Sequence, residues 1–292
     1  METAELHRWL LAGDPAVRWR VLRDVSDGAP RTVARERKRI ATEGWGSQLL
    51  AAQSPDGGWG DGIYSPKWTS TTYTLLRLAW LGLPSPHPAT RPAMDLMWQW
   101  ASRWRSPETC VASILARLTT SHGYRTDEQD EMVRYVVGQQ LHDGGWNCAT
   151  KTDKDKHSSF HTTILALEAL AEYDGPVPVA GAVARGREFF LRHRLYQSHR
   201  TGEVAIRASV RFPAFPEWHF DVLRGLEHFH RADVRDDRLI DAVEVVRRAR
   251  LRDGRWPAYR PYPGKQWFPI DAEELSRFNT ARVLAVLRWW DA

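Results

Sequence analysis

Residues 49–83, LLAAQSPDGGWGDGIYSPKWTSTTYTLLRLAWLGL, read as the end of one helix, a tight turn, a polar connection and a second helix. Gln53 closes the first helical pattern. Pro55-Asp56-Gly57-Gly58 is turn chemistry, with glycines free to take positive φ. Trp59 follows, and from Thr69 to Leu83 an apolar helical pattern resumes through Tyr73, Leu75, Leu76, Leu78 and Leu81. The same order recurs at Gln140-Leu-His-Asp143-Gly144-Gly145-Trp146, followed by a polar connection and the helix His161–Leu170. A worn third copy is Arg250-Leu-Arg-Asp253-Gly254-Arg255-Trp256. A unit repeated in this way cannot bury its apolar face alone, so the copies must stack.

The two intact Q-x-x-D-G-G-W strings resemble the QW motif of the terpene cyclase and protein prenyltransferase superfamily. The chain is similar to that superfamily in order as well: outer helix, turn, inner helix, repeated. The resemblance implies an all-α fold, a single α/α toroid of six helical hairpins with inner and outer helix rings, spanning residues 1–292 as one domain. The physical reading stands beside it. A glutamine amide at a helix end can bond the turn backbone, while the indole packs over the turn and its N–H finds an acceptor. Gln53, Trp59, Gln140 and Trp146 are therefore struts rather than catalysts.

The hydrophobic content of 42% and charged content of 26% over 292 residues describe an ordinary globular chain with ample core material. Fifteen tryptophans exceed what struts need and suit a lined cavity. A net charge of +5 is mild, and the arginine runs 35–39 and 247–250 read as solvated outer faces rather than a nucleic-acid groove. Cys110 and Cys148 have no pairing pattern, which excludes a disulfide scaffold and points to a reducing compartment. No signal peptide and no apolar run long enough for a span are present; the run Leu75–Leu83 carries Arg77. A cytoplasmic location with no obligate protein partner is expected.

Taken in order, the chain reads as a short helix over 2–12, then Asp14 and Pro15 opening Ala16–Val25. Helical patterns follow over 32–53, 69–83, 93–104, 110–119, 126–141, 159–173, 180–195, 216–230, 238–251 and 272–290. Asp271 is the expected cap of the last one.

Four connections into inner helices are long: 60–68, 147–158, 201–216 and 257–271. Long connections in a compact fold tend to carry function. They bring aromatic and cationic residues toward one rim. Tyr64, Trp68, Trp218, Tyr262, Trp267 and Phe278 would wall an apolar or isoprenoid-like small molecule. Lys67, Arg207 and Lys265 would grip an anionic head. His219, Asp221, His161 and Asp155 are the candidates for handling protons. On one helix His219 and Asp221 diverge by about 200°, so both face the lumen only where a first turn is irregular.

The resemblance thins at the chemistry. The cyclases of that superfamily protonate an alkene with an Asp from D-x-D-D, and no such string occurs; the nearest, Asp153-Lys-Asp155, lies in a solvated charge run. Those cyclases also use two barrels. The prenyltransferases hold zinc through Asp, Cys and His, and Cys110, His161, His219 and Asp221 lie early in inner helices, yet no Asp-x-Cys pair is present. No metal and no cofactor are therefore assigned. P-loop, dinucleotide, H-E-x-x-H and G-x-S-x-G patterns are absent. The expected function is an apolar-ligand toroid with acid–base or carbocation chemistry; the alternatives are a non-catalytic binding module and a zinc-dependent transferase.

Overall fold

The computed structural model describes residues 2–148 and 157–292, and among them the regular elements are all helical. Six helices form an inner ring: α2 (Pro15–Asp24), α5 (Thr71–Leu81), α7 (Thr109–Ser121), α9 (Phe160–Glu172), α11 (Val222–Arg231) and α13 (Arg277–Asp291). The outer layer holds α1 (Glu2–Leu11), α3 (Pro30–Arg39), α4 (Gly44–Ala51), α6 (Thr90–Ala101), α8 (Asp127–Gly138), α10 (Ala180–Arg192) and α12 (Ile240–Arg248). Each outer helix packs on an inner one: α3 on α2, α4 and α6 on α5, α8 on α7, α10 on α9, α12 on α11.

The inner ring closes. Helix α5 packs on α7, α7 on α9, α11 on α13 and α13 on α2. Arg224 of α11 pairs with Glu168 of α9 at 2.6 Å, and Arg20 of α2 donates to the Trp80 carbonyl of α5 at 2.9 Å. The seam between the first and last helices carries further bonds: Arg277 Nε to the Trp9 carbonyl at 3.2 Å and Arg288 Nη1 to the Val25 carbonyl at 2.6 Å. Inner helices are buried on nearly every face, as their continuous apolar pattern requires; in α5 every residue from Thr71 to Leu78 is buried.

The three repeated turns make the same bonds. Trp59, Trp146 and Trp256 donate their indole N–H to the carbonyls of Leu49, Val136 and Val246 at 2.8, 2.7 and 2.7 Å. Gln53 and Gln140 donate to Gly57 and Gly144 and reach onward to the carbonyls of Ala89 and Ala182. Arg250 takes the glutamine's place through Nε at 3.3 Å. Gly57, Gly144 and Gly254 stand at φ 89, 97 and 85, the left-handed region where a side chain is strained. A threonine at each inner-helix start, Thr71, Thr163 or Thr280, accepts from the tryptophan's backbone N–H.

The enclosed space is not an open tube. Every inner helix sends a charged side chain inward, and these side chains pair in three groups. Glu168 accepts from Arg117 and Arg224, each at 2.6 Å; Glu227 pairs with Arg282 at 2.8 Å and Arg20 at 3.8 Å; Arg77 pairs with Glu217 at 2.5 Å. The Arg117 and Arg224 guanidiniums also lie over the Trp80 ring. Burial alone would raise Glu168 and Glu227, but the guanidiniums facing them hold both carboxyls well below the usual range.

Three boundaries differ most from the sequence reading. The pattern over 32–53 is two helices, α3 and α4, separated by residues 40–43; Gly44 opens α4 at φ 65, and Trp45 N donates to Asp14. Helix α11 begins at Val222 rather than 216, and α13 at Arg277 rather than 272, capped by Ser276 instead of Asp271. Cys110 and Cys148, which their spacing gives no reason to pair, are bonded to each other, with Cα atoms 5.7 Å apart. Among the described residues no helix is long and apolar enough to cross a membrane.

Candidate functional site

Three connections meet at one end of the inner ring. Backbone bonds lace two of them: Trp68 N donates to the Lys265 carbonyl at 3.1 Å, and Lys265 N to the Lys67 carbonyl at 2.7 Å. Trp68 is buried and donates its indole N–H to the Tyr262 carbonyl at 2.9 Å. The third connection ends in a tight turn, His219 N to Pro216 O at 2.8 Å, just before α11.

These connections build an aromatic stack. The His219 ring lies between Trp218, with centroids 3.7 Å apart, and Tyr262, at 3.5 Å and nearly parallel. His161 of α9 meets Trp218 and His219 edge-on, and Lys67 Nζ sits over the Trp218 and Trp68 rings. The sequence-selected residues His161, His219, Lys67, Trp68, Trp218 and Tyr262 are thus brought together, but against one another rather than around open space.

The proton-handling candidates have other engagements here. Burial pushes the His219 imidazole down to about 3 and His161 to about 4, so both are neutral near pH 7. His161 Nδ1 accepts the Phe220 backbone N–H at 2.8 Å, which fixes its proton on Nε2. Asp221 is the N-cap of α11, accepting from Arg224 N at 2.8 Å through Oδ1, while Oδ2 has no partner. Burial raises its carboxyl to about 6. His219 and Asp221 both precede the helix, which removes the divergence expected of two positions on one helix. Asp155 lies outside the described residues.

Beside the stack, beneath residues 257–276, is a cavity of about 740 Å3, a size typical of small-molecule sites. Phe215, Tyr259, Trp267, Phe268 and Ile270 give it apolar walls. Trp267 is anchored by its indole N–H to Thr74 Oγ1 at 3.0 Å. Arg77, Glu217, Asp271 and Asn279 give it polar ones.

Arg77 and Glu217 are 1% and 2% exposed. Arg77 Nε and Nη2 both donate to Glu217 Oε1, leaving Arg77 Nη1 and Glu217 Oε2 without partners. Glu217 is held at φ 54, where a residue with a Cβ is strained by about 1–2 kcal/mol. Burial pushes its carboxyl up to about 7 against the pull of Arg77. Asp271 is raised to about 6 by burial, although Ser276 Oγ donates to it.

Of the remaining sequence-selected residues, only Trp267 lines this cavity. Lys67, Arg207 and Lys265 are exposed and do not line this cavity. Phe278 is 1% exposed, packed on Phe215, Trp45 and the Arg20 guanidinium in the core. Tyr64 stacks on Trp100, away from the cavity. Cys110 does not join His161, His219 and Asp221; among the described residues it groups with Cys148 and Glu108.

Arg77, Glu217 and Asp271 carry the polar chemistry of the cavity, and sequence reasoning passed over all three as site residues. One signal was available for Arg77: a lone charge inside an otherwise apolar inner helix, repeated at Arg117 and Glu168.

No protein-family model and no curated protein matches the chain. Among solved structures it is similar to a protein from Actinoplanes, at 16% identity and TM-score 0.47, over 95% of this chain and 89% of that one. It is also similar to the type II terpene cyclase MstE from Scytonema in its apo form, at 14% identity and TM-score 0.33, over 87% and 97% of the two chains. A variant of that cyclase in complex with its product, merosterolic acid A, gives 14% identity and TM-score 0.32, over 87% and 96%. Likenesses this distant carry no functional argument; the site's own geometry does.

Proposed function

We propose that residues 1–292 act as one toroid domain that binds an apolar, isoprenoid-like small molecule in the cavity beneath residues 257–276. The observation that carries this reading is the union, in about 740 Å3, of aromatic walls with two carboxyl groups, Glu217 and Asp271, whose protonated form burial favours. An apolar body would lie against Phe215, Tyr259, Trp267 and Phe268. Glu217 and Asp271 could each hold or release a proton near pH 7, which suits proton exchange beside a carbonyl or at a heteroatom. A carboxyl at about 7 is a weak acid toward an isolated alkene, so acid–base chemistry is favoured over cyclisation started by alkene protonation.

A second reading is binding without turnover. It is favoured by the engagement of His161, His219 and Asp221, which hold neighbouring backbone or stack on rings. Titration of the purified protein with farnesol and geranylgeraniol, followed by calorimetry, tests the shared premise. Trp267→Ala and the cavity-filling Ala214→Trp should each weaken binding about tenfold or more, the equivalent of about 1.4 kcal/mol. Affinity unchanged in both variants would remove the cavity from consideration. Product analysis of wild type beside Glu217→Gln then separates turnover from binding alone.

A further inference from the structure

One stretch of chain separates two hollows. Pro269, Asp271, Ala272 and Glu273 line the cavity of about 740 Å3 on one side and a recess of about 590 Å3 on the other, beside Asp14 and Trp45. Residues that line both hollows make the partition one chain thick at that point. Trp267, Phe268, Ile270 and Asp271 are half-buried in it, whereas Gln266, Pro269, Ala272 and Glu273 are exposed.

The strap 266–273 is tied at its ends and clasped in between. Before it, Lys265 N donates to the Lys67 carbonyl at 2.7 Å. A Cβ at Gly264 would come within 2.5 Å of the Trp68 indole nitrogen, so the two connections lie in close contact there. After it, Ala258 N donates to the Glu274 carbonyl and Ser276 N to the Trp256 carbonyl, each at 3.0 Å. Residues 266–273 make no backbone–backbone hydrogen bond among the described residues. A segment without such bonds opens at lower free-energy cost than the helices around it. Three side-chain clasps hold it instead: Trp267 Nε1 to Thr74 Oγ1 at 3.0 Å, Ser276 Oγ to Asp271, and Arg277 Nη1 to Glu273 at 2.5 Å.

Other walls of the cavity lack this freedom. Arg77 and Asn279 are buried in α5 and α13, and Phe215 packs on Phe278. Moving them would break the inner ring, whose packed interior yields little. The strap has the recess behind it, so it can swing outward without displacing packed side chains.

We infer that residues 266–273 are the gate of this cavity, swinging toward the Asp14–Trp45 recess to admit an apolar ligand and closing over it through the Thr74, Ser276 and Arg277 clasps. This rests on the reading of the cavity as an apolar-ligand site. A gate of this kind sets rates rather than affinity. Loosening a clasp that is made equally in the free and the occupied protein speeds binding and release by the same factor and leaves Kd unchanged.

The test follows farnesol binding by stopped-flow tryptophan fluorescence, with Kd from calorimetry. Thr74→Val removes the acceptor of the Trp267 indole without touching the cavity wall, and Glu273→Gln removes the charge that Arg277 meets. Thr74→Val should raise kon and koff together by about fivefold or more, because the closed strap then holds an indole N–H without its partner. Glu273→Gln, at an exposed pair, should raise both by about two- to threefold. Kd should be unchanged in each variant. If Thr74→Val does not fold, Glu273→Gln decides alone. Farnesol binding with both rates unchanged, or with koff raised and kon not, overturns the gate and leaves the apolar cavity standing. Failure of the wild type to bind farnesol overturns both.

Discussion

The three repeated turns and the three connections that follow them obey opposite rules. In the turns, tryptophan, glycine and threonine make the same bonds in every copy, even where Arg250 and Arg255 replace glutamine and glycine. The connections differ in length. The tryptophan and the threonine that accepts its N–H lie 12, 17 and 24 residues apart in the successive copies. The shortest packs Trp68 against Tyr262, and the longest roofs the cavity. The turn fixes where an inner helix starts, whatever length of chain is inserted before it. Chemistry can therefore vary in the insertion without disturbing the ring.

Substitutions can break that contrast. The largest effect is expected for Trp146→Ala, a strut with no exposure; it should cost about 4 kcal/mol in denaturant unfolding. Loss below about 1 kcal/mol would mean the turns are not the frame. Glu168→Gln should cost about 3 kcal/mol, because Arg117 and Arg224 would stay buried with their shared partner's charge gone. By contrast Trp218→Ala, in a connection and half-buried, should cost about 1–2 kcal/mol and leave the inner ring intact by circular dichroism.

The pH response sharpens the contrast. Asp271, raised to about 6, lies in a connection. Its folded value exceeds its unfolded one, so its contribution is full below about pH 4 and is lost as pH rises through 6. Asp271→Asn should gain on the wild type by about 1–2 kcal/mol between pH 4.5 and 8, after discounting for partial exposure. A difference constant with pH would mean the carboxyl is not held protonated. The smallest effect is expected in the worn turn: Arg250→Gln restores the intact string and should change stability by less than about 1 kcal/mol.

What was legible in the sequence follows the same division. The turns are local, so Gln53, Trp59, Gln140 and Trp146 announce hairpins, and the toroid follows from counting them. Local signals also located most helices, but not the break between α3 and α4, after which Trp45 N donates to Asp14, thirty-one residues before it. The aromatic stack was half legible: residue type selected Trp68, Trp218, His219 and Tyr262, but only tertiary packing decides that they fill space rather than enclose it. Glu217 was invisible because its importance lies in a partner 140 residues away. The pairing of Cys110 with Cys148 was hidden for the same reason.

The seam between α2 and α13 has a consequence for how the molecule is made. Arg277 and Arg288 bond to carbonyls 268 and 263 residues earlier, and Arg282 reaches the Glu227 that also faces Arg20. Helix α2 packs on its sequence neighbours α1 and α3, but its contact with α13 waits until more than 250 further residues have been added. Contacts this remote make folding slow and late. A chain in which α13 has not yet docked leaves the α2 face of the ring open, and such exposed apolar surface is prone to aggregate.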